Sequence, residues 1–278
     1  MSNRTPFECA KSVYDALTDQ YVCTSVRFNR WYKYDVHRWV LIESEKYITN
    51  VFRNILPTFD HKVYKECTCL FYDDKFLRKL DANPYLVGFE NGIYDLKDQK
   101  LRPGTPNDYV SLSTGYDYVD YHLHRDISID LQHILADLLI CKRPSLYLYN
   151  YDDLDDLVLL KKGLGGYCGE MPFTILNNNR YYDNSHNLHG KRLVIIEDKP
   201  ENNDINIRKD IIKNLLDTSD KKVDAKPLYS DIAYDQFTVL LFTRRELIAP
   251  RLDLHLLKNL EANEIMPMLI ANYLKIIP

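Results

Sequence analysis

"RLVIIED", residues 192–198, places four apolar residues in an unbroken run and ends it with two acids. The run is too short for an ordinary helix and lacks the alternation of a half-exposed strand. It predicts a strand covered on both faces. Two further runs have the same character, "SLYLYNY" (145–151) and "FTVLLFT" (237–243). Helical spacing lies between and before them, in "INIRKDIIKNLLDTS" (205–219) and in "DISIDLQHILADLLICKR" (126–143), which stops before Pro144. Strands alternating with helices predict a parallel sheet, so residues 125–278 are expected to form an α/β domain.

Residues 1–124 read differently, as an α+β module. "RFNRWYKYDVHRWVLI" (27–42) alternates aromatic and polar residues about Asp35, the pattern of a β-hairpin. "SEKYITNVFRNIL" (44–56) carries apolar residues at helical spacing behind a serine. Turns crowd between 83 and 118, where Pro84, Gly88, Gly92, Pro103, Gly104, Pro106 and Gly115 fall. These turns are expected on the surface of the module, with Asn91-Gly92 as a two-residue hairpin turn.

The composition limits the partners. With 45% hydrophobic and 27% charged residues the chain is expected to fold rather than remain disordered. A formal charge of −4 gives no overall basic signature, so contact with nucleic acid must come from a local patch. No apolar run of about 18 residues occurs, so no membrane partner is expected, and the first residues lack the apolar core of a signal peptide. The six cysteines, at 9, 23, 67, 69, 141 and 168, form no CxxC pair and read as free thiols in a reducing compartment, cytosol or nucleus. His122, His124, His133, His186 and His189 make no spaced ligand cluster, so no metal site is expected, and no Ser-His-Asp or Cys-His arrangement can be assembled.

Two passages carry a recognisable pattern. One is "NPYLVGFENGIYDLKDQKLRPGTPNDYVSLSTGYDY" (83–118); the other is "LHGKRLVIIEDKPENNDINIRKDIIKNLLDTSDKKVDAKPLY" (188–229), followed by "FTVLLFT". In this order they resemble the helicase half of the primase-helicases of large cytoplasmic DNA viruses, the poxvirus replication type. The resemblance covers roughly residues 20 to 250. It implies a helicase-associated module ahead of a superfamily 3, AAA+-like ATPase core.

The resemblance also assigns roles. Glu197 and Asp198 fall at the Walker B position, where an ATPase holds Mg²⁺ and orients the attacking water. Arg244 stands where the family has a polar sensor residue, usually Asn. Lys213 and Asp220 match an isoleucine-lysine pair and a Gly-Gly-Asp turn, but both glycines of that turn are absent. The stretch "NYDDLDDLVLLKKGLGGY" (150–167) occupies the Walker A region. A phosphate loop needs glycines so that successive N–H groups turn inward, a lysine for the phosphates and a hydroxyl for Mg²⁺. No glycine occurs between Gly115 and Gly163, and Asp152, Asp153 and Leu154 take the place of Gly-Lys-Ser/Thr.

Carboxylates at a helix start complement its dipole, at about 0.3–1 kcal/mol each, and repel a triphosphate. Lys161 and Lys162 are expected at the far end of that helix, with Gly163 as its C-cap. The stretch therefore reads as a capped helix inside a decayed nucleotide site. Arg251 is the lone candidate for a trans-acting arginine and is expected within a terminal helical region.

The expected function is a viral replication-associated, helicase-like protein that has lost its ATPase and needs no cofactor. Its expected partners are single-stranded DNA or an intact helicase or primase of the same machinery, with ring-type assembly open and the cytoplasm of the infected cell as its location. Lys213, Lys221, Lys222 and Lys226 are the candidate phosphate contacts, with Lys209 beside them. Two alternatives stay open: an active helicase using Mg-ATP in an unorthodox site, which the retained acids favour, and an interaction protein without DNA, which the acidic balance favours.

Overall fold

The computed structural model describes residues 4–121, 129–140, 146–149, 154–177, 188–199, 206–208, 210, 238–242 and 260–276. Two compact units result, one of Met1–Asn83 with Pro103–Ser111, the other of Pro84–Arg102 with Leu112–Pro278.

The first unit opens with α1 (Pro6–Leu17), followed by β1 (Tyr21–Ser25), β2 (Arg30–Asp35), β3 (Arg38–Ile42), α2 (Glu45–Ile55), α3 (His61–Leu70) and the short α4 (Phe76–Lys79). Local signals set these limits. Thr5 and Glu8 cap α1 reciprocally with Pro6 just inside, and the Asp60 carboxylate accepts from Val63 N at 2.9 Å to start α3. Ser44 precedes α2 without a side-chain cap. β2 and β3 pair antiparallel from Trp31↔Ile42 to Asp35↔Arg38, which is the hairpin expected about Asp35. Its turn residue Val36 is left-handed at φ 55, a conformation that favours Gly or Asn over a β-branched side chain.

The core of this unit is aromatic. Trp31 stands edge-on to Phe52 and Phe71, with ring centroids 5.5 and 5.6 Å apart. Such pairs add about 0.5–1.5 kcal/mol beyond the burial of their area. The return segment Pro103–Ser111 is tied in by backbone and side-chain bonds. Trp39 donates from Nε1 to Pro106 O at 2.9 Å and from its amide to Val110 O at 2.8 Å, and Asp81 accepts from the Ser111 amide at 2.7 Å.

The second unit joins two sheets. β4 (Leu86–Phe89), β5 (Gly92–Asp95) and β6 (Lys100–Arg102) form an antiparallel meander. Here the structure corrects an expectation. Pro103–Ser111, with three of the expected turn residues, does belong to the first unit, but all of β4 is buried and Pro84–Arg102 packs in the second unit. Pairing of Phe89 with Gly92 also makes Glu90-Asn91 the turn, one residue earlier than expected.

The expected parallel sheet is present. It contains β7 (Leu146–Tyr149), β8 (Cys168–Met171), β9 (Leu193–Glu197) and β10 (Thr238–Phe242), in the order β7-β10-β9-β8 with every pair parallel. Three of these are the runs read from sequence; β8 was not foreseen. Helix α5 spans Ile129–Ile140, α6 spans Leu154–Leu164, and α7 spans Ala262–Ile276; the expected stop before Pro144 lies outside the described residues. The expected helix over 205–219 lies almost wholly outside the described residues.

Leu157, Leu160 and Leu164 of α6 share a core with Leu193 and Ile195 of β9, Leu135 and Leu139 of α5, and Ile265 and Leu269 of α7. Full burial of each such side chain stabilises by about 1.5–3 kcal/mol.

Candidate functional site

In a parallel sheet all strands point the same way, so their C-terminal ends share one edge, and ligands of open α/β sheets bind outside that edge. β9 reaches it with Glu197, which pairs in register with Phe242 at the end of β10, while Tyr149 ends β7 beside Phe242. Alternation along β9 puts Leu193, Ile195 and Glu197 on one face and Val194 and Ile196 on the other. Leu193 and Ile195 join the core under α6, so Glu197 also faces α6. Glu170 of β8 sits opposite Ile195 in register and therefore shares that face.

The last turn of α6 supplies the counter-charge. Lys161 Nζ donates to Glu197 Oε1 at 2.7 Å and forms an ion pair with Glu170 Oε1 at 2.8 Å. Glu197 is the more enclosed carboxylate, 22% exposed against 65% for Glu170. Burial by itself would lower the pKa of Lys161, but hydrogen bonds and charge from Glu170 and Glu197 outweigh it and raise it. The lysine is therefore a cation at every physiological pH. Lys199 adds a second positive group, 4.0 Å from Glu197 Oε2. Next along the chain, Asp198 is buried at 9% exposure.

Cys168 lies at the start of β8 below this cluster. Burial pushes its thiol up to about 12, with the charge of Glu170 reinforcing and Lys161 and Lys191 opposing. It stays protonated at neutral pH and offers no thiolate for nucleophilic attack.

The turn-rich segment is fastened to this sheet by polar contacts. Arg192, immediately before β9, is buried, donates to Leu86 O at 2.8 Å and stacks over the Tyr167 ring at 4.9 Å. Gly88 N donates to the Tyr167 hydroxyl at 2.6 Å, and that hydroxyl donates to Leu112 O at 3.2 Å. The Tyr116 hydroxyl donates to Gly163 O at 2.5 Å.

Of the residues singled out in the sequence, the structure places Glu197 and Asp198 at the end of β9 and Leu154 at the first position of α6. In the first turn of α6, Asp155 is exposed and Asp156 is buried. Asp152, Asp153, Arg244, Arg251, Lys209, Lys213, Lys221, Lys222 and Lys226 lie outside the described residues, as does His186. His189 is half-buried.

Gly163 is not the C-cap. It sits inside the last turn of α6, where a Cβ would meet Ile265 Cγ1 at 2.3 Å. The left-handed residue after the helix is Gly165, at φ 51. Lys161 was placed from sequence only at the far end of the helix, and its pairing with Glu197 was not foreseen. A lysine one turn before a helix end carries no signal of a partner some 36 positions further on.

With this geometry in place, the comparisons with known proteins are specific. A family described as D5 N terminal like matches residues 10–144. Over that stretch, just under half of its length, the chain is similar to this family. The match runs from α1 through β4–β6 and α5 and ends two residues before β7, so the parallel sheet lies beyond it.

Relatives of the module-bearing chain come from large DNA viruses. A protein named as a candidate helicase, L207/L206 of Acanthamoeba polyphaga mimivirus, is 31% identical over 142 residues, covering 36% of this chain and 15% of that one. Candidate helicase 022R of Frog virus 3 (isolate Goorha) is 41% identical over 59 residues, covering 21% of this chain and 6% of its own. Candidate helicase 121R of Invertebrate iridescent virus 3 is 33% identical over 86 residues, covering 30% and 9%. The chain thus spans 15% or less of the length of these relatives. The match bears out the resemblance to the helicase-associated module of large DNA virus primase-helicases. Among the described residues, no helix is long and apolar enough to cross a membrane.

Proposed function

We propose that this protein serves viral DNA replication as a helicase-like component whose α/β domain is a superfamily 3, AAA+-like core without ATPase activity. The observation that carries the reading is the engagement of Glu197. In a working site that acid would face Mg²⁺ and water. Here it accepts from the Lys161 ammonium, and the glycine loop that would bring phosphates to it is absent from the sequence.

The sheet order supports the AAA+-like part. β7, β10 and β9 are neighbours, and they are the strands that precede the Walker A region, end near the sensor position and carry the Walker B acids. An ATPase needs those three features at adjacent strand ends. The Mg-ATP requirements do not fit the rest: Asp152 and Asp153 replace the phosphate-binding residues, and Glu197 is already paired with Lys161. Without hydrolysis, the protein acts by binding single-stranded DNA, through Lys213, Lys221, Lys222 and Lys226, or by joining an intact helicase or primase, in a ring where its partner forms one. The domain boundary near residue 124 and a cytoplasmic replication site belong to the same proposal.

Purified protein with Mg-ATP and single-stranded DNA tests it. Phosphate release should stay at the blank, and Glu197→Gln should change nothing. Turnover that Glu197→Gln abolishes would establish the second reading, an active helicase with an unorthodox site, which the retained Glu197 and Asp198 favour.

A further inference from the structure

The outer face of α2, in the first unit, carries groups that the proposed function does not use. Side chains advance by about 100° per residue round a helix, so Ile48 and Phe52 share one side, and both are fully buried. Lys46, Asn50, Arg53 and Asn54 fall on the opposite side, and all four are exposed. Among the described residues none of these four side chains has a hydrogen bond, an ion pair or a ring contact. No acid occurs from Lys46 to Phe59, and Glu45, at the first position of α2, lies about a quarter turn round from Lys46. Helix α3 packs beside α2, with the Phe52 and Tyr64 rings 6.3 Å apart, and exposes Lys62 and Lys65. Of the acids there, Asp60 is engaged as the N-cap and Glu66 is half-buried.

Exposed lysines are ordinary, and a solvated charged face needs no partner. This face differs in its amides. Asparagine is among the poorer helix formers, because its side chain competes for backbone groups. Yet Asn50 stands in the middle of α2 and Asn54 one residue before its end, and the capping positions are Ser44 and Leu56. Alanine or glutamate at either place would favour the helix more. The two amides therefore weaken the helix locally and gain no bond within the chain in return. Their donors and acceptors face outward, alongside two cations.

We infer that α2 is a contact element for duplex DNA, lying in the major groove with Asn50 and Asn54 toward the base edges and Lys46 and Arg53 toward the phosphates. A helix about 10–12 Å across matches a groove about 12 Å wide. An asparagine amide can donate and accept at once on an adenine edge, and ammonium and guanidinium groups neutralise phosphates. Lys62 and Lys65 would extend the positive surface along the same backbone. A single strand calls instead for an open ring on which bases stack. None of the four outward residues is aromatic, and Tyr47, at the edge of the face, already lies beneath the Lys33 ammonium at 5.7 Å. The inference rests on the reading of the chain as a DNA-associated protein and adds a duplex surface to the single-strand lysines.

Fluorescence anisotropy of a labelled duplex of about 20 base pairs, roughly two helical turns, tests it on the full chain across a salt series, with the unpaired strand in parallel. Lys46→Gln with Arg53→Gln should make the duplex salt slope shallower by about 1.8, or about 0.9 per lost phosphate contact. Asn50→Ala with Asn54→Ala should weaken duplex binding about fivefold and leave the slope unchanged, because neutral groups release no counterions. The same alanine variant should raise Tm by about 2–4 °C, so its weaker binding cannot come from a damaged fold. Neither variant should change single-strand affinity. Wild-type duplex binding that neither variant alters overturns the role of α2 while leaving DNA association standing. Equal losses on duplex and single strand overturn the groove contact. Binding of the single strand alone overturns the inference and not the proposed function, whereas no binding of either overturns both. Variants that change only the elution volume on size exclusion would make α2 a surface between copies of the chain, which also overturns it.

Discussion

Lys161 Nζ lies 2.7 Å from Glu197 Oε1, so the acid at the end of the third strand of the parallel sheet is joined to the last turn of the helix that covers it. Both side chains are about three-quarters covered, and a second carboxylate, Glu170, shares the lysine.

Breaking that contact should cost stability. Lys161→Met leaves two like charges facing each other on one side of the sheet. A fully buried pair would cost about 3–5 kcal/mol, but water reaches this one and the expected loss is about 1–2 kcal/mol. Urea unfolding of Lys161→Met, Glu197→Gln and the double variant measures the coupling, expected at about 0.5–2 kcal/mol. Additive effects of the two changes would show that the contact contributes nothing.

Gly163→Ala separates two opposing terms by sign. Helix propensity alone favours alanine by about 1 kcal/mol. The added Cβ, however, would stand 2.3 Å from Ile265 Cγ1 and 2.4 Å from Ile265 Cβ, side-chain atoms near the backbone of α7 that have little room to move. Overpacking of this kind costs about 1–3 kcal/mol. Thermal unfolding should therefore shift to lower temperature. A rise in Tm would mean that α6 and α7 separate freely.

The first unit should be labile to alkali. Burial pushes the Cys23 thiol up to about 11 and the Cys67 thiol up to about 12, from an ordinary value of 9.0. Both thiols are fully buried. The unfolded chain thus releases these protons first, so their contribution is complete below about pH 9 and is lost as pH rises through 11 to 12. The slope approaches about 1.4 kcal/mol per pH unit for each group. Urea midpoints followed between about pH 8 and pH 11 should fall, and Cys67→Ala should flatten the decline. Equal slopes in the two proteins would remove Cys67 from the account. In the native protein the exposed Cys69 should react with a thiol reagent well before Cys23 and Cys67 do.

Changing Lys221, Lys222 and Lys226 to Glu should weaken binding of single-stranded DNA at least about tenfold and make its salt dependence shallower. Titration of a labelled oligonucleotide at two salt concentrations measures both. Affinity equal to that of the wild type would take these lysines out of the interface.

What the sequence determined alone was whatever repeats over a few residues. The runs at 145–151, 192–198 and 237–243 announced strands, and the alternation around Asp35 announced a hairpin, because periodicity is a local property. The missing glycines of the phosphate loop were equally legible, since their absence requires no coordinates. β8 escaped notice because "CGEM" has neither alternation nor an apolar run, and it is a strand through its parallel pairing with β9.

The tertiary structure decided the rest. Proline and glycine between 83 and 102 look like surface turns when only local preference is read. Yet Arg192 and Tyr167, far along the chain, fasten β4 into the unit that holds the parallel sheet. Lys161 and Glu197 meet only because β8 and β9 are neighbours and α6 lies on the face they share. Sheet order is a choice among long-range pairings. It is settled by which faces can be buried together, and no spacing within the chain records it.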